Sequence, residues 1–254
     1  MFAWEGAVNM AYRFGFIMSI LVIPAPASSI GKLLLKMLGG FFALFILAAL
    51  LFAAFQPVKV LPRVRLAPGF ALTDQNGQML TNENLRGQLV LYNFTYTRCP
   101  APCANMNHTL QSIQEKVATM DLGGVPFTLV TISFDPVYDT PEVLNAYAAS
   151  LGVDPAHWHF ATLTDNPTLL KTIVGGGFEA YYEEQPDGSF DFAPTYVLVD
   201  GWGIVRGQYR YETLTSDVVL ISRHIGVLAD EVQIATVANK LVYEASHLFL
   251  CYAP

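Results

Sequence analysis

A strand, a cysteine turn and a helix follow one another in Leu91-Tyr-Asn-Phe-Thr-Tyr-Thr-Arg-Cys-Pro-Ala-Pro-Cys-Ala-Asn-Met106. The apolar half predicts a buried strand, and the residues after the second cysteine predict the start of a helix. Thiol chemistry needs a sulfur at an exposed end of such an element, where it can lose its proton. Cys99 and Cys103 can therefore form a disulfide, relay electrons or hold a soft metal. The alternative is a chance pair of small apolar residues.

Two further motifs accompany the cysteine turn. Ser133-Phe-Asp-Pro follows a second apolar run, and Asp139-Thr-Pro-Glu-Val-Leu opens a helical pattern. Together with Phe94-Thr-Tyr-Thr-Arg-Cys-Pro-x-x-Cys, and in this order, they resemble the Sco/SenC family. The similarity runs from about Ala67 to about Gly226. It implies a membrane-anchored protein of thioredoxin fold, associated with copper delivery to cytochrome oxidase and with thiol-disulfide exchange on that copper site.

The composition indicates a membrane protein. Hydrophobic residues make up 53% of the chain and charged residues only 14%, with a mean hydropathy of +0.38. Residues 37–55 carry no charge, and at 1.5 Å per residue they make a helix of about 28 Å, which is long enough to span a bilayer. We interpret this segment as a single transmembrane helix. A cleaved signal peptide is the alternative, but its apolar region would be shorter.

The charges do not decide which side of the membrane the cysteine turn occupies. Equal numbers of basic residues lie before and after the predicted transmembrane helix: Arg13, Lys32 and Lys36, then Lys59, Arg63 and Arg65. The positive-inside count is therefore tied. The family resemblance implies a single-pass protein of the cell membrane with its thioredoxin-like domain on the extracytoplasmic (periplasmic) side. The net charge of −7 argues against nucleic acid as a partner.

Residues 1–36 form an apolar or interfacial N-terminal segment whose role stays open. Residues 14–27 are apolar but too short to span a membrane, and two prolines interrupt them. They can lie in the membrane interface, re-enter the bilayer or pack on another membrane subunit. Met10 or Met37 would also serve as the true start.

Residues 67–226 predict an α/β domain of thioredoxin type, in which a layered sheet alternates with helices. The predicted strands are a hairpin around Asn76-Gly77, buried strands at 88–95 and 127–134, an edge strand at 161–164, and a hairpin around Asp200-Gly201. The predicted helices cover 105–120, 140–151, 167–174 and 215–227.

Two segments flank this domain. Residues 56–66 read as a linker, because Pro57 and Pro62 discourage a helix. Residues 227–254 predict an extra amphipathic C-terminal helix, which can pack on its own domain, on a partner or on the membrane. Cys251 near the C-terminus is interpreted as an apolar residue at a helix end, with lipidation or pairing with another chain as alternatives.

The family resemblance implies a third copper ligand, a histidine just before the strand of the late hairpin. The matching stretch here is Asp191-Phe-Ala-Pro-Thr-Tyr-Val-Leu198, which contains no histidine, and the ligand position falls on or next to Phe192. Cys99 and Cys103 remain candidate copper ligands, and copper binding is left open. His108 lies about one turn beyond Cys103 and can approach it, although a solvated role is the alternative.

Pro194 and Asp135 complete the candidate catalytic residues. Ala193-Pro194-Thr195 resembles the cis-proline loop of thioredoxin-like oxidoreductases, which faces the cysteine pair. The alternative is an ordinary proline at the start of a strand. Asp135 follows the second buried strand, where its carboxylate can orient a proton or cap a turn.

Cys99 and Cys103 are predicted to form a disulfide in the oxidising compartment outside the membrane. Cys103 should begin a helix, and the unpaired amides and dipole of a helix start favour a thiolate. Arg98 adds a positive charge next to Cys99. One of the two sulfurs should therefore react preferentially when the pair is reduced.

Three functions fit these features: a copper-handling assembly factor, a thiol-disulfide oxidoreductase, and an accessory subunit of a respiratory electron-transport complex with a reduced copper or catalytic role. The intact cysteine pair favours the second. The hydrophobic segments at both ends favour the third, because such surfaces need partners. Its partners would be other subunits of a respiratory membrane complex or cytochrome oxidase, together with the lipid bilayer. Whether the chain is an enzyme is left open.

Overall fold

The computed structural model describes residues 29–55, 60–100, 103–210 and 217–236. They fall into two compact units that divide between Gln56 and Pro57, and each unit is described by itself. The predicted N-terminal interfacial segment, most of the predicted C-terminal extension and Cys251 lie outside the described residues.

The first unit contains one long apolar helix, α1 (Ser29–Phe55). It begins ahead of the predicted start at Met37, because residues 29–36 are rich in helix formers and contain no proline. Ser29–Ala48 is a candidate membrane span with a mean hydropathy of 1.9. By length and composition, α1 can cross a bilayer.

The second unit is built on a mixed β-sheet. The strands are β1 (Arg65–Leu66), β2 (Ala71–Asp74), β3 (Met79–Thr81), β4 (Leu89–Thr95), β5 (Phe127–Ser133), β6 (Trp158–Thr162), β7 (Tyr182–Glu184), β8 (Phe190–Phe192), β9 (Thr195–Val199) and β10 (Ile204–Arg210). Eight of them form one sheet in the order β1-β10-β9-β4-β5-β6-β2-β3. β4, β5 and β6 are parallel, β9 is antiparallel to β4, and β7 and β8 form a separate hairpin.

Helices cover this sheet. They are α2 (Cys103–Ala118), α3 (Pro141–Leu151), α4 (Pro167–Lys171), which continues into a π-helical turn over Thr172–Gly177, and α5 (Val218–Thr236). Successive residues of β4 belong to different hydrophobic clusters: Leu91 packs with residues of α2 and α5, and Tyr92 packs with residues of the π-helical turn. This alternation places β4 between two cores, which explains why all of its residues are buried.

The strand predicted at an edge is internal. β6 pairs with β5 on one side and, through Thr162 and Ala161, with β2 on the other. The edge assignment was wrong because the early β2–β3 hairpin joins the sheet on the free side of β6, a contact between segments far apart in the chain. The β7–β8 hairpin was not predicted, since acidic residues interrupt its short strands.

The predicted linker and the predicted C-terminal boundary both differ from the structure. Val60 and Leu61 are fully buried, and β1 pairs with β10, so residues 60–66 belong to the packed unit. Helix α5 continues past Gly226 to Thr236 and buries Leu228 and Glu231. The predicted extension is therefore, as far as Thr236, a continuation of the closing helix.

The contacts of Arg206 explain why residues 60–66 and the end of α5 pack on the sheet. Its guanidinium lies within the fold and donates to Asp200 at 2.8 Å and to Glu231 at 2.6 Å. It also donates to the backbone carbonyls of Leu61 and Pro62, while Glu231 accepts from the Leu61 amide at 2.6 Å. We call Arg206, Asp200, Glu231 and the backbone of Leu61 and Pro62 the Arg206 cluster. It ties the start of the unit to its last helix.

Candidate functional site

The cysteine turn lies where β4 ends and α2 begins. Cys99 follows the strand, with its amide bonded to the Tyr96 carbonyl, and Cys103 is the first residue of α2, with its amide bonded to the Pro100 carbonyl. The two side chains form the predicted disulfide, with Cα atoms 5.9 Å apart. The strand-to-helix junction inferred from the sequence therefore brings the two sulfurs together.

The two sulfurs differ in their access to solvent. Cys99 is partly exposed, whereas only 1% of Cys103 is exposed and its side chain belongs to the core beneath α2. An incoming thiol can therefore reach Cys99 but not Cys103. The prediction that one sulfur reacts preferentially stays a prediction, and Cys99 is the one that this exposure favours.

The buried carboxylate of Asp139 accepts hydrogen bonds from the segment that leads into the cysteine turn. Asp139 is fully buried, and it accepts hydrogen bonds from the amide of Thr97 at 2.9 Å, from the hydroxyl of Thr97 and from the hydroxyl of Ser133. Burial raises the pKa of Asp139 above its ordinary value, and these hydrogen bonds oppose that rise. The carboxylate therefore holds the segment that leads into Cys99.

Asp135, a predicted catalytic residue, contacts Arg98 in the described structure. Its carboxylate accepts from the Arg98 guanidinium at 2.6 Å, and this hydrogen bond raises the pKa of Arg98. The same guanidinium lies 4.5 Å from the centre of the Tyr138 ring. Asp135 thus binds the side chain of the residue that precedes Cys99 in the sequence. An effect of the Arg98 charge on Cys99 and a proton-transfer role for Asp135 both stay predictions.

Pro194 does not have the predicted peptide geometry. No peptide bond in the described residues is cis, so the expected likeness to a cis-proline loop was wrong in this respect. The loop between β8 and β9 is short, and the Thr195 hydroxyl donates to the Ala193 carbonyl at 2.9 Å. An ordinary trans proline, the isomer that X-Pro bonds favour, precedes the strand. A catalytic role for Pro194 stays a prediction.

Phe192 occupies an aromatic cluster beside the cysteine turn. This cluster consists of Tyr96, Phe134, Tyr182, Phe190 and Phe192. The ring of Phe192 lies 5.1 Å from that of Phe134 and 6.2 Å from that of Tyr96, the residue whose carbonyl binds the Cys99 amide. A ring packed in this way supplies no electron pair to a metal. The place expected for an imidazole is thus filled by an apolar side chain.

The donor set for copper is consequently incomplete. Among the described residues, no group of three histidine, cysteine, aspartate or glutamate side chains is arranged to hold a metal ion. His108 is exposed on α2, which is consistent with a solvated side chain. Copper(I) prefers soft thiolates completed by a further donor, and the described site offers only the two cysteine sulfurs. A resident copper ion does not fit this arrangement.

Sequence reasoning missed the polar side chains around the turn. In the sequence, Thr95, Thr97 and Ser133 were assigned no role beyond their places in the motifs. In the structure, each makes a hydrogen bond to the cysteine turn or to Asp139. A hydroxyl or carboxylate at the end of a buried strand is the signal that was available, because buried polar groups need partners. The pattern did not reveal which partner each would find.

Comparison with known proteins establishes relatedness. The family model described as SCO1/SenC matches residues 59–225. The SCO2-like protein RP587 of Rickettsia prowazekii is 32% identical over 120 residues, which cover 47% of this chain and 54% of that protein. The chain thus spans about half the length of this relative and of the SCO2-like protein RT0576 of Rickettsia typhi.

Two solved structures share the fold. Yeast Sco1 with copper bound has a TM-score of 0.55 at 19% identity, covering 74% of this chain and 100% of that one. BsSco, described as a member of the Sco family of cytochrome c oxidase assembly proteins, has a TM-score of 0.55 at 22% identity and covers 67% of this chain and 98% of that one. These likenesses confirm the predicted thioredoxin-like α/β fold. Since the family model spans the cysteine turn and both accompanying motifs, the chain belongs to the SCO1/SenC family.

Proposed function

We propose that this protein is a membrane-anchored thiol-disulfide oxidoreductase that acts in the assembly of a respiratory oxidase. The observation that carries this proposal is the asymmetry of its disulfide, in which Cys99 is partly exposed and Cys103 is buried. Such an arrangement suits attack at one sulfur and resolution by the other. The related BsSco is described as carrying a disulfide switch and as a cytochrome c oxidase assembly protein, which supports the choice of partner.

The proposed reaction passes two electrons between this pair and a partner. In the reductase direction, the Cys99 thiolate attacks a partner disulfide and forms a mixed disulfide. Cys103 then attacks Cys99, the bond to the partner breaks, and the partner leaves as a dithiol. A dithiol reductant must restore the cysteine pair for another cycle. Asp139 and the Arg98–Asp135 pair keep the turn in place during these steps.

The location is part of the proposal. Helix α1 is long and apolar enough to anchor the chain in a bilayer. A disulfide persists in an oxidising compartment outside the cytoplasm, so we place the thioredoxin-like unit on the periplasmic side. Cytochrome oxidase or another subunit of a respiratory complex is the proposed partner. Copper, if it passes over the site, is a transient cargo rather than a resident cofactor.

Trapping experiments in native membranes test the exchange. Cys103→Ser leaves Cys99 as a reachable thiol without its resolving partner, so mixed disulfides with the partner should accumulate. Cys99→Ser is the matched control, and it should trap little because Cys103 is buried. The double variant should block maturation of the oxidase. Equal trapping by both single variants, or normal maturation in the double variant, would contradict the proposal.

A stable, non-catalytic subunit of a respiratory complex is the second candidate. Phe192 favours it, because an apolar ring in place of the expected imidazole is consistent with a reduced copper role. Gentle purification from native membranes separates the two candidates. A subunit should co-migrate with the complex in stoichiometric amounts even when both cysteines are replaced, whereas recovery as a free monomer would exclude this candidate.

A further inference from the structure

A buried hydroxyl lies against the inner sulfur of the disulfide. Thr95 is the last residue of β4, and only 3% of it is exposed. Its Oγ1 lies 3.0 Å from the Sγ of Cys103. Its hydrogen bond to the carbonyl of Tyr96 is longer, at 3.5 Å. The sulfur is therefore the nearest partner of a hydroxyl that is shielded from water.

This contact matters because of what Cys103 must do during exchange. When an incoming thiolate attacks Cys99, the bond between the two cysteines breaks and its electron pair stays on the Cys103 sulfur. That sulfur lies in an apolar core with Met106 and Leu110, where an unsolvated negative charge is costly. The amide of Cys103 is already bonded to the Pro100 carbonyl at 2.9 Å. Thr95 supplies a hydroxyl donor at the place where the charge develops.

We propose that Thr95 is a catalytic residue of disulfide exchange, whose hydroxyl donates a hydrogen bond to the Cys103 sulfur as it leaves Cys99. Thr95 keeps its proton throughout. The new bond joins Cys99 to the incoming sulfur, the bond between Cys99 and Cys103 breaks, and Cys103 takes the electron pair. This role deepens the proposed function and rests on it, because it assumes that the pair exchanges with thiols. Hydrogen bonds to charged groups are among the stronger ones in proteins, so Thr95 should favour the reduced pair over the disulfide.

The test compares Thr95→Val with Thr95→Ser in the full chain, purified in detergent. Valine keeps the shape and removes the hydroxyl, whereas serine keeps the hydroxyl. In each protein the Cys99–Cys103 disulfide is equilibrated with dithiothreitol, and the rate of its reduction is measured separately. Thr95→Val should lower the equilibrium constant for reduction about tenfold, which corresponds to about 30 mV towards a more reducing potential, and should slow the reduction. Thr95→Ser should stay close to the unmodified protein.

Thr131→Val is the matched control, because Thr131 is also a buried threonine of the central sheet, and its hydroxyl donates to Asn93 at 2.6 Å. It should lower the melting temperature and leave the potential unchanged. If Thr95→Val behaves in the same way, Thr95 is structural and the inference is overturned. Thr95→Ala provides the same comparison if the valine variant does not fold.

The outcome is separable from that of the proposed function. A potential that depends on Thr95, found together with normal oxidase maturation in the double cysteine variant, would support the inference about Thr95 and refute the physiological role. A potential that does not respond to Thr95→Val, found together with blocked maturation in the double cysteine variant, would refute the inference and support that role.

Discussion

At the scale of single residues, the cysteine turn depends on a carboxylate that the solvent does not reach. Asp139 accepts from both the amide and the hydroxyl of Thr97 and from the hydroxyl of Ser133. The amide cannot reverse its role, whereas the hydroxyls can donate or accept. An asparagine can therefore satisfy all three groups, and an alanine leaves the amide unpaired.

We expect Asp139→Ala to lower the free energy of unfolding by about 1–3 kcal/mol, the usual cost of an unsatisfied buried group. Asp139→Asn should be at least as stable as the unmodified protein at pH 7. Burial raises the pKa of Asp139 in the folded state, so its contribution to stability is greatest below the unfolded pKa and is lost as the pH rises through the folded one. Urea unfolding at pH 7 and pH 4 measures the free energy of unfolding of the unmodified protein and of both variants. A large loss of stability in the asparagine variant would contradict the prediction.

A second residue-scale prediction concerns copper. The reduced, unmodified protein should bind copper(I) weakly, because its described site offers only two thiolates. Phe192→His should tighten binding about a hundredfold. Structural zinc sites with four ligands contribute roughly 10–16 kcal/mol, or about 3 kcal/mol per ligand, and we take this value as a guide for one added imidazole. Competition with a copper(I) chelator measures both affinities.

Phe192→Leu is the control for this change, because it alters the aromatic cluster without adding a donor. Tight one-to-one binding by the unmodified protein would refute the prediction. If His108→Ala then removed that binding, His108 would be the missing third donor.

At the scale of elements, the Arg206 cluster joins segments that are far apart in the chain. Arg206 lies on β10, Glu231 on α5, and Leu61 precedes β1. Burial alone would lower the pKa of Arg206, but the two carboxylates raise it above its ordinary value. The charge is therefore retained inside the fold, and both carboxylates depend on it.

Replacing Arg206 by methionine should destabilise the second unit by about 3–5 kcal/mol, because it leaves two buried carboxylates without their positive counter-charge. Arg86→Met is the control: this arginine pairs with Glu83 on the surface, and its loss should change stability very little. Urea unfolding of both variants in detergent compares them. Equal stability of the two variants would contradict this account of the cluster.

At the scale of the whole molecule, the second unit contains its own hydrophobic cores and its own sheet. Val60, the first residue of this unit that the structure describes, is fully buried. The boundary that folding requires should therefore lie before residue 60, rather than at residue 67, where the sequence predicted the domain to begin.

We expect the chain without residues 1–56 to be soluble and folded, with Cys99 and Cys103 forming their disulfide. The chain without residues 1–66 should be much less stable, because it lacks Leu61, β1 and two acceptors of Arg206. Circular dichroism and size-exclusion chromatography of the two truncations test this. Aggregation of the longer form would mean that the N-terminal segment or a partner belongs to the folding unit.

Local patterns were sufficient for much of this protein. The apolar run of β4, the cysteine spacing and the order of the three motifs predicted the central strands, the disulfide and the family, because each depends on residues that are neighbours in the chain. The apolar stretch of residues 37–55 predicted a long apolar helix, which α1 contains, for the same reason. Helix α3 was likewise marked by Thr140 and Pro141, whose cap is local: the Thr140 hydroxyl accepts from the Val143 amide.

Tertiary packing decided what these patterns left open. It placed Cys99 at the surface and Cys103 in the core, brought the Thr95 hydroxyl to Cys103, and set Asp139 beneath Thr97. It also made β6 an internal strand and joined Arg206 to Leu61, 145 positions away in the sequence. Burial and hydrogen bonding between distant segments depend on how the layers stack, and no periodicity within one segment encodes that arrangement.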